Sequence, residues 1–265
     1  MASETYLTEL YTHQSTYIHR LDARAKLLIV IGYILTLMAI PMATWYAYGI
    51  MFLLWSVGAL MSRLSLRKAL TRSLIAAPFL MTALTLLLRP STPILIQHPI
   101  GPWQITLGAP SVYRFLTVTL RSWLGILATI LLLHTTTVPD LLTALESLRI
   151  PSTLTTILNM AYRYLFILLD EAKRLARARA ARSAAATPPH RSPGLKWRAH
   201  VTGLLIGTLF IRSLQRSENV YYAMLSRGYR GGAWKRPTTP WGTKETRLLL
   251  CCTVIYILIV YITRR

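Results

Sequence analysis

Acidic residues are scarce in this sequence: nine Asp and Glu stand against 30 Lys and Arg, for a formal net charge of +21. All nine (Glu4, Glu9, Asp22, Asp140, Glu146, Asp170, Glu171, Glu218 and Glu245) fall outside the long apolar runs. A carrier driven by protons or cations needs ionisable groups at membrane depth, so this argues against a self-sufficient cation carrier. Cysteine is also rare. Cys251 and Cys252 are adjacent within an apolar run, which excludes a disulfide scaffold and a cysteine metal cluster. The six histidines, at positions 13, 19, 98, 134, 190 and 200, include no pair three or four residues apart, so no helix face offers two imidazoles to one metal. There is no G-x-x-x-x-G-K-[ST] phosphate loop, no H-E-x-x-H and no G-x-S-x-G. The chain is therefore expected to be non-catalytic, with no metal and no cofactor of its own.

What the sequence does have is apolar length, with 53% hydrophobic residues. A strongly basic chain first suggests nucleic acid. Here, however, the apolar runs are long enough to meet a bilayer of about 30 Å, and the basic residues lie between them. The sequence thus predicts an all-α integral membrane protein of about five spans: Lys26 to Ile40, Trp45 to Met61, Leu74 to Leu88, Tyr113 to Thr136 and Leu248 to Ile262. Residues 1–19 carry no basic cluster followed by an apolar run, so the first span is expected to stay in the mature chain. Ser91 to Ser111, rich in Pro and Gly, cannot continue a helix and is expected to be an extracytoplasmic loop or cap with Trp103 near the interface.

Charge sets the expected orientation. Residues 62–73 hold four Lys/Arg, 138–200 hold ten, 213–247 hold seven, and 89–112 hold Arg89 alone. Cytoplasmic segments of membrane proteins are enriched in Lys and Arg, which places the N-terminus and residues 137–247 in the cytoplasm. Val201 to Ile211 is about 11 residues and too short to span. The expected domains are 1–136, a membrane part of four spans; 137–245, a cytoplasmic block; and 246–265, a last span.

The cytoplasmic block reads as two long helices. Leu154, Ile157, Leu158, Ala161, Leu165, Leu168, Leu169, Ala172 and Ala176 recur at spacings of three and four, one apolar face of a helix expected to run from Ser152 to about Arg182. Thr187-Pro188-Pro189 stops it. A second helix is expected from about Lys196 to Arg227, with Gly228 as its C-terminal stop. On the fourth span Arg114 and Arg121 share a face; Arg114 is expected to reach the interface and Arg121 to bond to a neighbouring helix. Gly203 and Gly207 permit close packing, a weak signal.

Both long helices finish in arginine between small neighbours: Ala181-Arg182-Ser183 and Ser226-Arg227-Gly228. One reading is dipole complementarity, worth about 0.3–1 kcal/mol per helix end. The other is a pair of knobs, each with a guanidinium able to bond a carboxylate in a groove of another protein.

At these residues a family resemblance enters. Tyr162-Arg163-Tyr164-Leu165, then Asp170-Glu171-Ala172 and Ala181-Arg182-Ser183, resembles the first signature of the transmembrane T component of energy-coupling factor (ECF) transporters. Arg216-Ser217-Glu218-Asn219-Val220-Tyr221-Tyr222-Ala223-Met224, running into Ser226-Arg227-Gly228, resembles the second. His19-Arg20-Leu21-Asp22-Ala23-Arg24-Ala25-Lys26 is similar to the N-terminal motif, with Ala23 where Pro is usual. The wording is closest to the cobalt/nickel branch, called CbiQ.

The resemblance implies an L-shaped subunit with a coupling domain of two long helices and a short one. It joins two ABC-type ATPases to a substrate-binding membrane S component, CbiM-like, with or without a small accessory subunit. ATP and Mg would sit on the ATPases and nucleic acid would have no part. The location implied is a prokaryotic inner or plasma membrane. Ala181, Arg182, Ser183, Ser226, Arg227 and Gly228 would dock on the ATPases, with Arg179 an alternative to Arg182, and Arg163, Glu171 and Glu218 would support the coupling helices. The implied substrate is cobalt or nickel ion. A vitamin such as biotin is an alternative, and a stand-alone secondary carrier or a binding module for nucleic acid or anionic lipid are the readings from other classes.

Overall fold

The computed structural model describes residues 18–19, 21–41, 44–64, 66–73, 94–100, 103–148, 150–186, 194–230 and 242–264. They comprise helices α1 (Ala23–Ala39), α2 (Trp45–Met61), α3 (Leu66–Ser73), α4 (Ala109–Thr135), α5 (Val138–Ser147), α6 (Ser152–Ala186), α7 (Leu195–Ser226) and α8 (Thr243–Arg264), and one hairpin, β1 (Ile94–Ile100) with β2 (Trp103–Gly108). The predicted third span, Leu74 to Leu88, lies outside the described residues. The chain divides into two compact units, with boundaries at 148/149 and 236/237.

In the unit that holds α1 to α5 and α8, the helices bury one another's apolar sides around Tyr33, Leu37, Tyr48, Met51, Trp55, Leu124 and Leu127. Several polar side chains inside this bundle are paired, as burial favours. Tyr33 donates its hydroxyl to the Met51 carbonyl at 3.0 Å, and Trp55 Nε1 donates to the Leu127 carbonyl at 2.8 Å. Arg121 does bond to its neighbours: Nε donates to Tyr48 Oη at 3.0 Å, and a terminal nitrogen donates to the carbonyl of Ile40, the C-cap of α1. Gly32 leaves room for α8, since a Cβ there would lie 3.3 Å from the Tyr256 ring.

The outer faces of the same helices are apolar as well. Leu35, Met38, Leu53, Leu60, Val254, Ile257, Leu258 and Tyr261 are all exposed, a pattern suited to lipid rather than to water. Among the described residues two helices, Pro110–Thr135 and Thr243–Arg264, are long and apolar enough to cross a membrane, and Trp45–Met61 is a shorter apolar helix.

Three local features depart from the sequence reading. The Pro- and Gly-rich stretch contains an antiparallel hairpin in which Gln97 faces Thr106 and Ile100 faces Trp103; its β-branched residues pair although its prolines forbid a helix. Amphipathic α3 follows α2 and is tied to α4 by Trp123 Nε1 donating to Ser73 Oγ at 3.0 Å. Finally, the chain passes from one compact unit to the other after α5, a boundary that the sequence reading did not draw. Helix α5 buries Leu142 and Ala144, and Ala144 packs with Leu27 of α1 and Leu132 of α4.

The second unit is dominated by α6 and α7. Helix α7 ends as the glycine predicts. Gly228 adopts φ +81°, its N–H donates to the Leu225 carbonyl at 2.9 Å, and the Tyr229 N–H reaches back to the Met224 carbonyl at 3.0 Å. This is the paired-bond stop that a left-handed residue permits. Helix α6 is longer than expected, 35 residues and about 53 Å. It runs four residues beyond Arg182 because Ser183 to Ala186 includes three alanines, the best helix former.

Candidate functional site

Helices α6 and α7 pack antiparallel, and side chains fix their register. Arg179 Nη1 donates to Thr202 Oγ1 at 3.3 Å, and its guanidinium carbon lies 5.8 Å from the centroid of the Trp197 ring. Eight residues earlier on α6, Glu171 meets Arg212 of α7 in a close ion pair, with Arg174 on its other oxygen. Those two guanidinium groups, Arg212 foremost, hold the Glu171 carboxyl below its usual range. The pairs 179 with 202 and 171 with 212 run in opposite senses, which defines an antiparallel couple.

This register places the two predicted tips far apart. Arg182 lies one turn past Arg179, beside the start of α7. Arg227 lies 25 residues beyond Thr202, about 38 Å further along α7. Both arginines are exposed, as are Ala181, Ser226 and Gly228. Arg227 is the C-cap of α7, where an arginine also complements the helix dipole. Arg182 is inside α6 rather than at its end, so its guanidinium projects from the last turns. Ser183 is part of the same helix. Arg179, by contrast, is turned into the pair by Trp197 and Thr202. Arg163 and Glu218 are exposed on α6 and α7, and of the three support residues Glu171 alone joins the two helices by a salt bridge described here.

Between Ile167, Leu168 and Glu171 of α6 and Arg216, Asn219 and Ala223 of α7 lies an open cleft of about 500 Å³. The predicted apolar face of α6 is not covered within the described residues: Leu154, Ile157, Leu158, Leu165 and Leu169 are exposed. Helix α7 buries no residue and exposes Leu204, Ile206, Phe210, Leu214 and Tyr222. Surface of this kind on two paired helices is suited to a protein or membrane partner.

Among the described residues, no group of three or more His, Cys, Asp or Glu side chains is arranged to hold a metal ion. The tertiary fold does bring two histidines together that sequence spacing keeps apart, His19 and His134, with ring centroids 5.8 Å apart. Their surroundings do not suit a cation, because the Lys26 ammonium donates to the His19 carbonyl at 3.2 Å. Sequence reasoning did not single out Lys26. Its signals were its place at the end of the N-terminal motif and in the first turn of an apolar helix.

Residues 14–240 match the family described as CbiQ, cobalt transport protein. The energy-coupling factor transporter transmembrane protein EcfT of Thermosediminibacter oceani is 30% identical over 84% of this chain and 83% of its own length. EcfT of Macrococcus caseolyticus is 28% identical over 93% of this chain and 94% of its own. An uncharacterised protein of Methanocaldococcus jannaschii is 27% identical over 86% of this chain and 77% of its own.

Proposed function

The chain belongs to the CbiQ family of cobalt transport proteins, and on that premise we propose that it is the coupling subunit of an ECF-type importer, passing ATP-driven movement of two ATPases to a substrate-binding membrane subunit. The observation that carries this reading is the pair of exposed arginines, Arg182 and Arg227, held far apart on one ion-paired couple of helices. Each guanidinium can make two parallel bonds to a carboxylate in an ATPase groove. Arg179 is the weaker candidate for the first dock, since its guanidinium is engaged by Trp197 and Thr202.

In this scheme ATP and Mg bind the ATPases, and this chain takes no cofactor. When the ATPases close, the tips on α6 and α7 move, and the apolar surfaces of the two helices tilt or release the substrate subunit. The substrate, cobalt ion by the family's description or nickel ion as the alternative, passes through that subunit. The distribution of Lys and Arg supports a multi-pass protein whose N-terminus and long helices face the cytoplasm of a prokaryotic cell.

The test is co-purification of the ATPase pair with wild type, Arg182→Ala, Arg227→Ala, the double variant and Arg179→Ala, followed by ATP hydrolysis. The expected result is loss of association or of coupled hydrolysis for Arg182→Ala and Arg227→Ala, with Arg179→Ala retaining association. Undiminished binding and coupling in the double variant would return both arginines to a dipole role alone.

A further inference from the structure

Lys26 stands in the first turn of α1 and is 7% exposed. Burying an ammonium is expensive unless its protons are bonded, and a Met of similar length would fill the space without that penalty. Two of its three N–H groups have identified acceptors. One donates at 2.9 Å to the carbonyl of Thr135, the last residue of α4, across a separation of 109 residues. Another donates at 3.2 Å to the carbonyl of His19, in the segment that leads into α1. The final carbonyls of a helix have no partner within it and carry the negative end of its dipole, so an ammonium is the natural complement there. The carboxylates of Asp22 and Asp140 supply counter-charge.

The place it holds is the turn between α4 and α5. His134, Thr135 and Thr136 are all buried there. Thr137 caps α5, accepting from the Asp140 N–H at 3.3 Å. Beside Lys26, Leu27 packs with Leu132 of α4 and Ala144 of α5. Helix α5 is also the last element before the chain enters the unit of α6 and α7, at 148/149. Any displacement of α6 that travels along the chain reaches α4 through this elbow.

We propose that Lys26 is a positioning residue that clamps the α4–α5 elbow by holding the Thr135 carbonyl, so that movement of α6 is handed to the membrane bundle rather than absorbed by bending at residues 135–138. The proposal rests on the coupling role argued above. It assigns Lys26 no contact with nucleotide, substrate or ATPase.

The experiment uses the whole transporter in proteoliposomes, with both ATPases and the substrate subunit, and compares wild type, Lys26→Met and Lys26→Arg. Three quantities are read: ATP hydrolysis, radiolabelled Co²⁺ taken up per ATP, and hydrogen exchange at the amides of residues 136–138, 140 and 141. Loss of a charge-assisted bond of this class predicts that Lys26→Met hydrolyses ATP at near the wild-type rate, while uptake per ATP falls about tenfold and the elbow amides exchange about tenfold faster. Lys26→Arg, which keeps donors at the site, is expected to restore most of both. Unchanged uptake per ATP and unchanged exchange in Lys26→Met would overturn the clamp. If Lys26→Met does not assemble, Lys26→Arg decides: wild-type coupling and a protected elbow support the clamp, and failure of this variant too refutes it. A wild-type complex without coupled Co²⁺ uptake would count against the functional reading instead, and hydrogen exchange would still decide the clamp.

Discussion

Glu171 on α6 is joined to Arg212 on α7, 41 residues later in the chain, a charged tie between the two long helices. Arg174, three residues along α6, takes the other carboxylate oxygen. If the two helices move as one body, their tie matters more than their length. We therefore expect Glu171→Gln and Arg212→Gln each to reduce coupled ATP hydrolysis in the assembled complex. The double variant should lose little more than either single one, since both remove the same bond. Additive losses would show that the residues act separately.

The same carboxylate predicts a pH dependence. Its folded-state pKa lies below the ordinary value of a glutamate, about 4.5. A depressed carboxylate pKa contributes stability that is present above the unfolded value and lost as pH falls through the lower folded one. Hydrogen exchange of α6 and α7, corrected for intrinsic rates, should thus show constant protection from about pH 8 to about pH 5 and weaken only in stronger acid. Weakening already between pH 7 and pH 6 would point to another group.

Gly228 holds the end of α7 with a positive φ that a Cβ disfavours. Gly228→Ala should cost about 1–2 kcal/mol at that turn and unseat Arg227 from its cap. Titration of the purified ATPase pair should then show association weakened by about tenfold, the equivalent of 1.4 kcal/mol. An unaltered affinity would separate the turn from the dock.

Arg63 is a non-glycine residue in the left-handed region, φ 54°, closing α2 while the Leu64 N–H donates to the Ala59 carbonyl at 2.9 Å. Arg63→Gly keeps the turn and relieves the side-chain clash. Thermal unfolding in detergent should show a gain of about 1 kcal/mol, and a loss would mean that the arginine side chain contributes more than its backbone strain costs.

Trp55 is 3% exposed and donates to Leu127 across 72 residues of sequence. Trp55→Phe keeps most of the apolar volume and removes the donor, so unfolding should show a loss of about 1–2 kcal/mol. A neutral result would mean that the Leu127 carbonyl is satisfied by its helix alone.

Local chemistry made much of this protein legible in its sequence. The bounds of α2, Trp45 and Met61, are those of its apolar run, and α7 stops at the glycine that can turn left-handed. Apolar runs, helix breakers and caps act within a few residues, so they can be read along the chain. The arginine motifs of α6 and α7 were readable for the same reason, and so was the expectation that Arg121 would find a neighbouring helix.

Tertiary structure decided which side chains meet across long separations. Lys26 finds Thr135 at 109 residues, Arg121 finds Tyr48 at 73, and Arg179 finds Thr202 at 23. No local spacing encodes such pairs. It also decided that Arg179 is engaged while Arg182 is exposed, although both have alanine neighbours and the sequence left them as alternatives. The sequence determined that the chain is helical, apolar and basic in blocks, because those properties are sums over neighbours. Which lysine is buried and which arginine is free depends on the packing of helices that the chain brings together only when it folds.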